Sequence, residues 1–406
     1  MGKKQFGFLV AGQSLANIGD VFYIVSMITL VYTITGTAVY TAMFPALRCL
    51  AQFTSGILAP LLLDRFRLRS IIIASQLGQT ILLLGLTVYS AQIDAHSPLY
   101  GLYGFIILMA LLDGWTTPAR NAMIPLLVEK DQLMRANGLM STVDQSVQMA
   151  GWAMGGVLVA WLGGTTVLWL TFAMFSLSAL SLFFIRLPKS ERSQEKNRPG
   201  IRDSLKEGWS YIWTMKPIRI LTTMDFLEGI AGGVWMAAIL LVYVNEVLHQ
   251  GEQWWGFINA SYFLGTIAGG VIVIALANQL NRRLLVTVIG GTLCTGLLTL
   301  CFIYVSVPVW ALVISALFGP VYQLQAIAKQ TLYQRVVPTN LLPKVLSAQA
   351  ALAYITFGFS AIGLSYVSDH FGIRATYDVA AALIFTGAAL GWFCRSAIRT
   401  ITQVES

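Results

Sequence analysis

The chain is dominated by uninterrupted apolar runs of the length that crosses a lipid bilayer. A hydrocarbon core of about 30 Å needs roughly 20 consecutive apolar residues in a helix. Such runs, separated by polar or Gly/Pro breaks, fall at 7–33, 39–63, 70–91, 99–127, 137–162 and 165–187, then at 217–247, 254–277, 284–306, 308–335, 343–368 and 375–395. Hydrocarbon offers the backbone no hydrogen-bond partners, so only helices or closed barrels can span it. A barrel would show shorter segments of alternating polarity, and these runs are long and uniformly apolar. The expected fold is therefore all-α, with twelve transmembrane helices in two six-helix, pseudo-symmetric bundles. Composition agrees: 56% of residues are hydrophobic and 11% charged, against about 25% charged in a soluble domain.

The net charge of +8 is distributed as membrane topology rather than as a nucleic-acid face. Lys3, Lys4, Arg65, Arg67, Arg69, Lys130, Arg135, Arg282, Arg283, Arg335, Lys344, Arg395 and Arg399 fall on one side of the predicted spans. The opposite loops carry Asp94, Glu246, Glu252 and Asp369, with Arg374 as their clear basic residue. The excess of Lys and Arg in cytoplasmic loops fixes orientation, placing both termini and the central linker in the cytoplasm. The start, Met1-Gly2-Lys3-Lys4 before an apolar run, has the look of a signal peptide. Asp20, the length of the run and the lack of a small-residue cleavage site favour a retained first span. Cys49, Cys294, Cys301 and Cys394 lie in apolar runs without metal-ligand spacing, and His96, His249 and His370 fall in predicted outer loops. No metal, no cofactor and no enzyme chemistry is expected, and the absence of a Walker motif argues against ATP-driven pumping.

The two sets of spans repeat. One constant shift lays Arg120-Asn121-Ala122-Met123 over Lys329-Gln330-Thr331-Leu332 and Arg135 over Lys344, and Leu30-Val31-Tyr32 is echoed by Leu241-Val242-Tyr243. The expected division is an N-terminal bundle over 1–187, a cytoplasmic linker over 188–216, and a C-terminal bundle with a short tail over 217–406. The linker begins as a charged loop (KSERSQEKNRPG) and continues as SLKEGWSYIW, expected to form an amphipathic helix on the membrane surface. Parallel repeats of this kind suit alternating access.

Ionisable residues interrupt the apolar runs: Asp20, Arg48, Asp113, Arg120, Asp144, Asp225, Glu228 and Lys329. At about 3 kcal/mol each, exposing all of them to lipid would cost roughly 24 kcal/mol, more than the ~5–15 kcal/mol of net stability of a folded protein. They must be paired, hydrogen-bonded or hydrated in a cavity. Gln13, Asn17 and Asp20 share one helical face, as do Asp113, Thr117 and Arg120, and Asn137, Ser141, Asp144 and Gln148. Asp20, Asn17, Asp113, Asp225, Glu228 and Lys329 are the candidates for proton coupling or a substrate cavity. Arg48 is placed to pair with Asp20, and Arg120 with Asp144 across the turn joining spans four and five. Lys329 is the most isolated cation, with a partner across the cavity or an anionic substrate as alternatives. Gly151, Gly155 and Gly156, with Gly265, Gly269 and Gly270, let helices approach closely. Trp254 and Trp255 read as an interfacial belt. Pro45, Pro118 and Pro320 are expected to break spans or their ends.

Three stretches carry a family resemblance: GQSLANIGDVFYIVSMITLVYTITGTA, LLLDRFRLRSII and TTPARNAMIPLLVEKDQLMRANGLMS. With them the whole chain resembles the major facilitator superfamily, in particular its drug-efflux branch of macrolide and enterobactin exporters. The resemblance implies a central cavity between two bundles. It also implies that Asp64, Arg65 and Arg69, at the charged positions of the loop after span two, help hold the inward-closed interface. Pro60 and Arg67 stand at that motif's glycine positions, and Trp152 stands where the antiporter motif of span five has proline.

The expected function is a secondary transporter in an inner (plasma) membrane, exporting an amphipathic small molecule of the drug, macrolide or siderophore class by proton antiport. Spans rich in Phe, Met, Trp and Tyr suit an adaptable apolar cavity. Protons and membrane lipids are the further partners, and nucleic acid is not. The alternatives are a lipid or lysophospholipid flippase, and a receptor or scaffold that does not transport.

Overall fold

The computed structural model describes residues 2–92, 99–185, 201–235 and 237–397. Asp94, His96, the charged loop 189–200, Arg399 and the tail lie outside the described residues. Among the described residues every regular element is helical: α1 (Gly2–Thr35), α2 (Ala38–Leu63), α3 (Leu68–Ser90), α4 (Tyr100–Gly114), α5 (Thr116–Leu127), α6 (Leu133–Leu162), α7 (Gly164–Phe183), α8 (Ile201–Thr214), α9 (Lys216–Ala231), α10 (Ala237–Glu246), α11 (Gln253–Asn281), α12 (Leu284–Tyr304), α13 (Pro308–Val336) and α14 (Leu342–Phe393). Single 3-10 turns occupy Lys130–Gln132 and Gly232–Trp235.

Nine described helical stretches are long and apolar enough to cross a membrane, or ten if Lys216–Trp235 and Ile239–Glu246, inclined at 48°, form one bent span. Two causes separate this figure from the twelve expected. α14 covers both of the last two predicted spans, but Gly372 sits inside it at φ 84, a left-handed conformation that glycine adopts without strain. α6 is diluted by Asn137, Ser141, Asp144, Gln145 and Gln148. With α14 counted as two spans and α6 as one, the helices are consistent with twelve.

The fourth predicted span is divided at Trp115 into α4 and α5. Pro118 explains the place: it has no N–H for the Gly114 carbonyl, and its ring crowds that carbonyl. The ladder resumes with Ala119 N–H donating to the Trp115 carbonyl at 3.1 Å. Pro45 and Pro320, expected to act likewise, lie inside continuous helices. Pro320 is held there by α11, whose Gly269 comes so close that a Cβ on it would stand 2.5 Å from the Pro320 Cα. Packing of this kind lets membrane helices absorb a proline.

The helices gather into two compact units, neither contiguous in the chain. The first contains Met1–Glu129, Ser146–Gly208 and Thr339–Ala351, the second Lys130–Gln145, Trp209–Pro338 and Leu352–Ser406. Packing thus divides α6, α8 and α14 between units, whereas the repeat divides the chain into halves by order.

In the first unit α1 packs along α7, and α3 along α4 and α7. Ser178 and Ser181 of α7 donate to the Gly12 and Phe8 carbonyls of α1 at 2.7 and 3.0 Å. Tyr23, Met27, Phe44, Leu83, Leu102 and Phe175 fill the core between them. Gly151 and Gly155 face Val21 and Val25 of α1, where a Cβ would meet side-chain carbons at 3.0 and 3.1 Å. Gly156 has nothing within 4 Å; it lies on the exposed side of α6, so the packing role expected there is corrected to open surface.

In the second unit α11 and α13 are stapled reciprocally. Ser261 donates to the Leu312 carbonyl at 2.9 Å and Ser315 to the Ile258 carbonyl at 3.0 Å. Lipid is as apolar as the helices, so association depends on such close backbone contact and hydrogen bonds. An aromatic cluster of Tyr243, Phe302 and Tyr377 packs with Trp235, and the Tyr377 hydroxyl donates to the Val234 carbonyl at 3.0 Å in the broken part of span seven. Trp254 and Trp255, in the first turn of α11, are half-buried and pack on this core.

α8 is amphipathic as expected: Ser204, Gly208 and Ile212 are buried along one face while Lys206, Ser210 and Trp213 are exposed. Burial of Tyr211 pushes its phenol above the ordinary value.

Candidate functional site

Within the membrane-spanning helices each unit contains a cation shared by two carboxylates. In the first unit the cation is Arg48 of α2. Its Nη1 donates to Asp20 Oδ1 at 2.9 Å and its Nη2 to Asp20 Oδ2 at 2.6 Å. This fork-on-carboxylate geometry is the strongest form of ion pairing available to side chains. Nη2 also reaches Asp113 Oδ2 at 3.3 Å, and Gln52 Nε2 donates to the same oxygen at 2.8 Å. Asp20 lies mid-helix in α1, one turn beyond Asn17, which accepts from Gln13 Nε2 at 2.7 Å. Asp113 lies in the last turn of α4, at the break before Pro118. An anion at the carbonyl end of a helix is disfavoured by the backbone dipole, and Arg48 and Gln52 offset that cost. The break is pinned by Ser55, which donates to the Leu111 carbonyl at 2.7 Å, and by Trp115, which donates to Ser75.

In the second unit the cation is Lys329 of α13. Its Nζ donates to Asp225 Oδ1 at 2.9 Å and to Glu228 Oε2 at 2.7 Å, both on α9. The isolated cation of the sequence is therefore clasped, and the acids that answer it sit one turn apart on span seven. Four neutral groups complete the network. Tyr333 donates to Asp225 Oδ2 at 2.7 Å, Thr292 to Glu228 Oε1 at 2.8 Å, and Gln325 Nε2 to Glu228 Oε2 at 3.1 Å. Thr222 and Tyr333 share a hydroxyl contact of 3.4 Å.

Arg120 is buried on α5 in the first unit, and Asp144 is half-buried on the part of α6 that belongs to the second. The start of the Asn137–Gln148 stripe is used within the second unit. Asn137 Nδ2 donates to Thr331 at 3.0 Å and to Gln334 Oε1 at 2.7 Å, and Gln323 donates to Ser141. Arg335 donates to Asn281 Oδ1 and to the Lys130 carbonyl at 3.1 and 3.0 Å.

At the ends of the helices in the first unit, Lys344 of α14 pairs with Asp64 and with Glu207 of α8. Arg69 donates to the Phe183 carbonyl at 2.8 Å, while Arg65 is exposed. The motif positions thus divide: Asp64 and Arg69 bind neighbouring segments, and Arg65 faces outward. Sequence reasoning missed Gln52, Thr292, Tyr333 and Glu207, and used Lys344 for topology and the repeat but not as a partner of Asp64. Tyr333 lies one turn beyond Lys329 on α13, a spacing that could have drawn attention to it. Among the described residues no group of three or more His, Cys, Asp or Glu side chains is arranged to hold a metal.

The comparisons with known proteins agree in kind. The Major Facilitator Superfamily model matches residues 9–361. The chain is 32% identical over 393 residues to the uncharacterized MFS-type transporter YfmI of Bacillus subtilis (strain 168), covering 96% of each chain. It is 25% identical over 282 residues to the multidrug efflux pump Tap of Mycobacterium bovis, covering 66% of this chain and 64% of that one. The crystal structure of the human organic anion transporter MFSD10 (TETRAN) superposes with a TM-score of 0.78 at 11% identity, covering 96% of this chain and 99% of the other. At that identity the likeness concerns the fold alone. The matched model spans most of the chain, and the chain belongs to the Major Facilitator Superfamily: it is a multi-pass membrane transporter of small molecules, and not an enzyme.

Proposed function

We propose that the chain is an exporter, in which an amphipathic small molecule of the drug, macrolide or siderophore class leaves the cell in exchange for protons by alternating access. The protein resides in the plasma membrane with both termini in the cytoplasm, as the placement of its Lys and Arg residues argues. The repeated halves 1–187 and 217–406 are the moving bodies and 188–216 joins them. Lipid acyl chains cover the exposed apolar side chains, among them Trp161, Phe359, Ile362 and Phe393. Similarity to the efflux pump Tap supports the direction.

The observation that carries the coupling is the sharing of Arg48. Its fork engages Asp20 at 2.9 and 2.6 Å, leaving Asp113 one contact at 3.3 Å and the Gln52 amide. One guanidinium balances one carboxylate, and Asp113 is the one left to exchange a proton. Asp20 sets the state of Asp113 by competing for Arg48.

Proteoliposomes test this with a panel of drugs, siderophores and lysolipids. A pH gradient is expected to drive flux of an amphipathic compound, and Asp113→Asn to reduce gradient-driven flux to below roughly a hundredth of wild type. Asp20→Asn is expected to do the same, because Arg48 then swings to Asp113 and holds it ionised. Both variants are expected to keep ligand-induced thermal stabilisation, which shows that they fold and bind. Lipid flux without a gradient would replace this reading with a flippase, and no flux with a receptor. Undiminished gradient-driven export by both variants would remove the pair from the mechanism.

A further inference from the structure

The Lys329 cluster is built more asymmetrically than a structural ion pair requires. Asp225 and Glu228 stand one turn apart on α9 and face one ammonium, so one of two like charges is left over. Their surroundings differ. Glu228 is 12% exposed and accepts from Lys329, Gln325 and Thr292. Asp225 is 36% exposed and accepts from Lys329 and Tyr333. Glu228, with three donors against two for Asp225, is the better fixed counter-ion, since each donor favours the ionised form. The leftover charge then belongs to Asp225.

The other groups around Asp225 are few. α13 presents Lys329 and Tyr333, with Tyr322 two turns back from Lys329 and within electrostatic reach of the three charges. α9 itself contributes Glu228. α12 presents the hydroxyl of Thr292 to Glu228, and α14 presents the methyl group of Thr356 beside Gly229. Tyr333 joins Asp225 to Thr222. Its hydroxyl donates to Asp225 Oδ2 at 2.7 Å and meets Thr222 Oγ1 at 3.4 Å. Tyr333 and Thr222 both lie toward the Val336 end of α13 and the Lys216 end of α9, the basic ends of these helices.

We propose that Asp225 is a second proton-binding carboxylate of this transporter, that Glu228 stays ionised as the fixed partner of Lys329, and that the Tyr333 hydroxyl relays the proton from Asp225 toward the Thr222 side, the cytoplasmic end of α9 and α13. This rests on the proton-coupled reading above and adds to it a site in the other unit. The step balances within the relay. The Oδ2–H bond of protonated Asp225 breaks as an O–H bond forms on Tyr333 Oη, and the original Oη–H bond breaks as its proton passes to a water molecule on the Thr222 side. Tyrosine ends unchanged, Asp225 is left ionised, and the hydronium formed there gives its proton to the cytoplasm. Protonated Asp225 no longer needs Lys329, which then serves Glu228 alone.

Infrared difference titration of the purified full-length protein, which follows protonated carboxyl groups directly, tests the assignment without transport. One carboxyl band of the wild type is expected to be missing from Asp225→Asn. In Glu228→Gln the band is expected to persist but to appear only at lower pH, because Asp225 becomes the sole counter-ion of Lys329. In Tyr333→Phe, which loses a donor to the ionised form, the band is expected to appear about one pH unit higher, a roughly tenfold change in proton affinity. The pH profile of gradient-driven flux should move in the same direction, with its maximum lowered about tenfold by loss of the relay. A spectrum of Asp225→Asn with every wild-type carboxyl band present would overturn the site. A Tyr333→Phe titration and flux profile superimposable on wild type would overturn the relay. Absence of gradient-driven flux in the wild type, with the infrared pattern intact, would overturn proton antiport and leave the site standing.

Discussion

Arg48→Met is expected to destabilise the protein by about 1–3 kcal/mol, below the roughly 3–5 kcal/mol lost when one partner of a fully buried ion pair is removed, because Asp20 and Asp113 are 31% and 33% exposed to solvent. The cost arises because two carboxylates lose their cation together. Asp20 gives up both arms of the fork, and Asp113 gives up the charge that offsets its place at the carbonyl end of α4. Thermal unfolding in detergent, followed by size-exclusion chromatography, should show a clear fall in the midpoint. Arg48→Lys should fall between the two, because an ammonium keeps the charge and cannot engage both oxygens of Asp20 in parallel. Adding Asp20→Asn to Arg48→Met should recover part of the loss, since one of the two stranded charges is then removed. A stability for Arg48→Met within a few tenths of a kcal/mol of wild type would mean that solvent, and not Arg48, satisfies these carboxylates.

The fold was legible for a physical reason: hydrocarbon imposes one length and one backbone solution, and apolar runs display both. What the runs hid was local. The division of span four at Trp115 was signalled by Pro118, but Pro45 and Pro320 carry the same signal in helices that stay whole. A proline breaks a helix only where its neighbours do not hold it, and the neighbours are a tertiary property. α6 shows the opposite error of a hydropathy measure, for its polar stripe reads as weakness in a membrane helix. Asn137 and Ser141 are in fact among its strongest attachments, to Thr331, Gln334 and Gln323.

The charged clusters were half legible. Helical spacing placed Asp20 and Arg48 at matching depth, and the pair formed. The same logic left Lys329 alone, because its acids lie about a hundred positions away on α9, and spacing within one helix carries no information about the helix it faces. The neutral members were harder still. A tyrosine or threonine in an apolar run is ordinary, and only the carboxylate oxygens at 2.7 and 2.8 Å give Tyr333 and Thr292 their meaning. Charges advertise a site in a membrane sequence because they are costly there. The groups that make those charges tolerable do not.

Gly319→Ala is expected to have an effect out of proportion to one methyl group. A Cβ at this position would stand 2.5 Å from the Thr266 nitrogen and 2.6 Å from the Tyr262 carbonyl oxygen. Both are backbone atoms of α11, so no rotamer change relieves the contact. Carbon atoms are at ease about 3.5–4.0 Å apart, and α11 and α13 would have to separate by on the order of 1 Å. Alanine should gain about 1 kcal/mol over glycine in a helix interior. Overpacking at a backbone contact costs about 1–3 kcal/mol or more, and here the Ser261 and Ser315 staples stretch with it. The net expectation is a lower thermal midpoint and reduced gradient-driven flux, because α13 also positions Gln325, Lys329 and Tyr333. Gly104→Ala is the matching control: nothing lies within 4 Å of its Cβ position, so propensity alone acts and the midpoint should hold or rise. If Gly319→Ala unfolds no earlier than Gly104→Ala, the close approach of α11 and α13 is not what holds the second unit together.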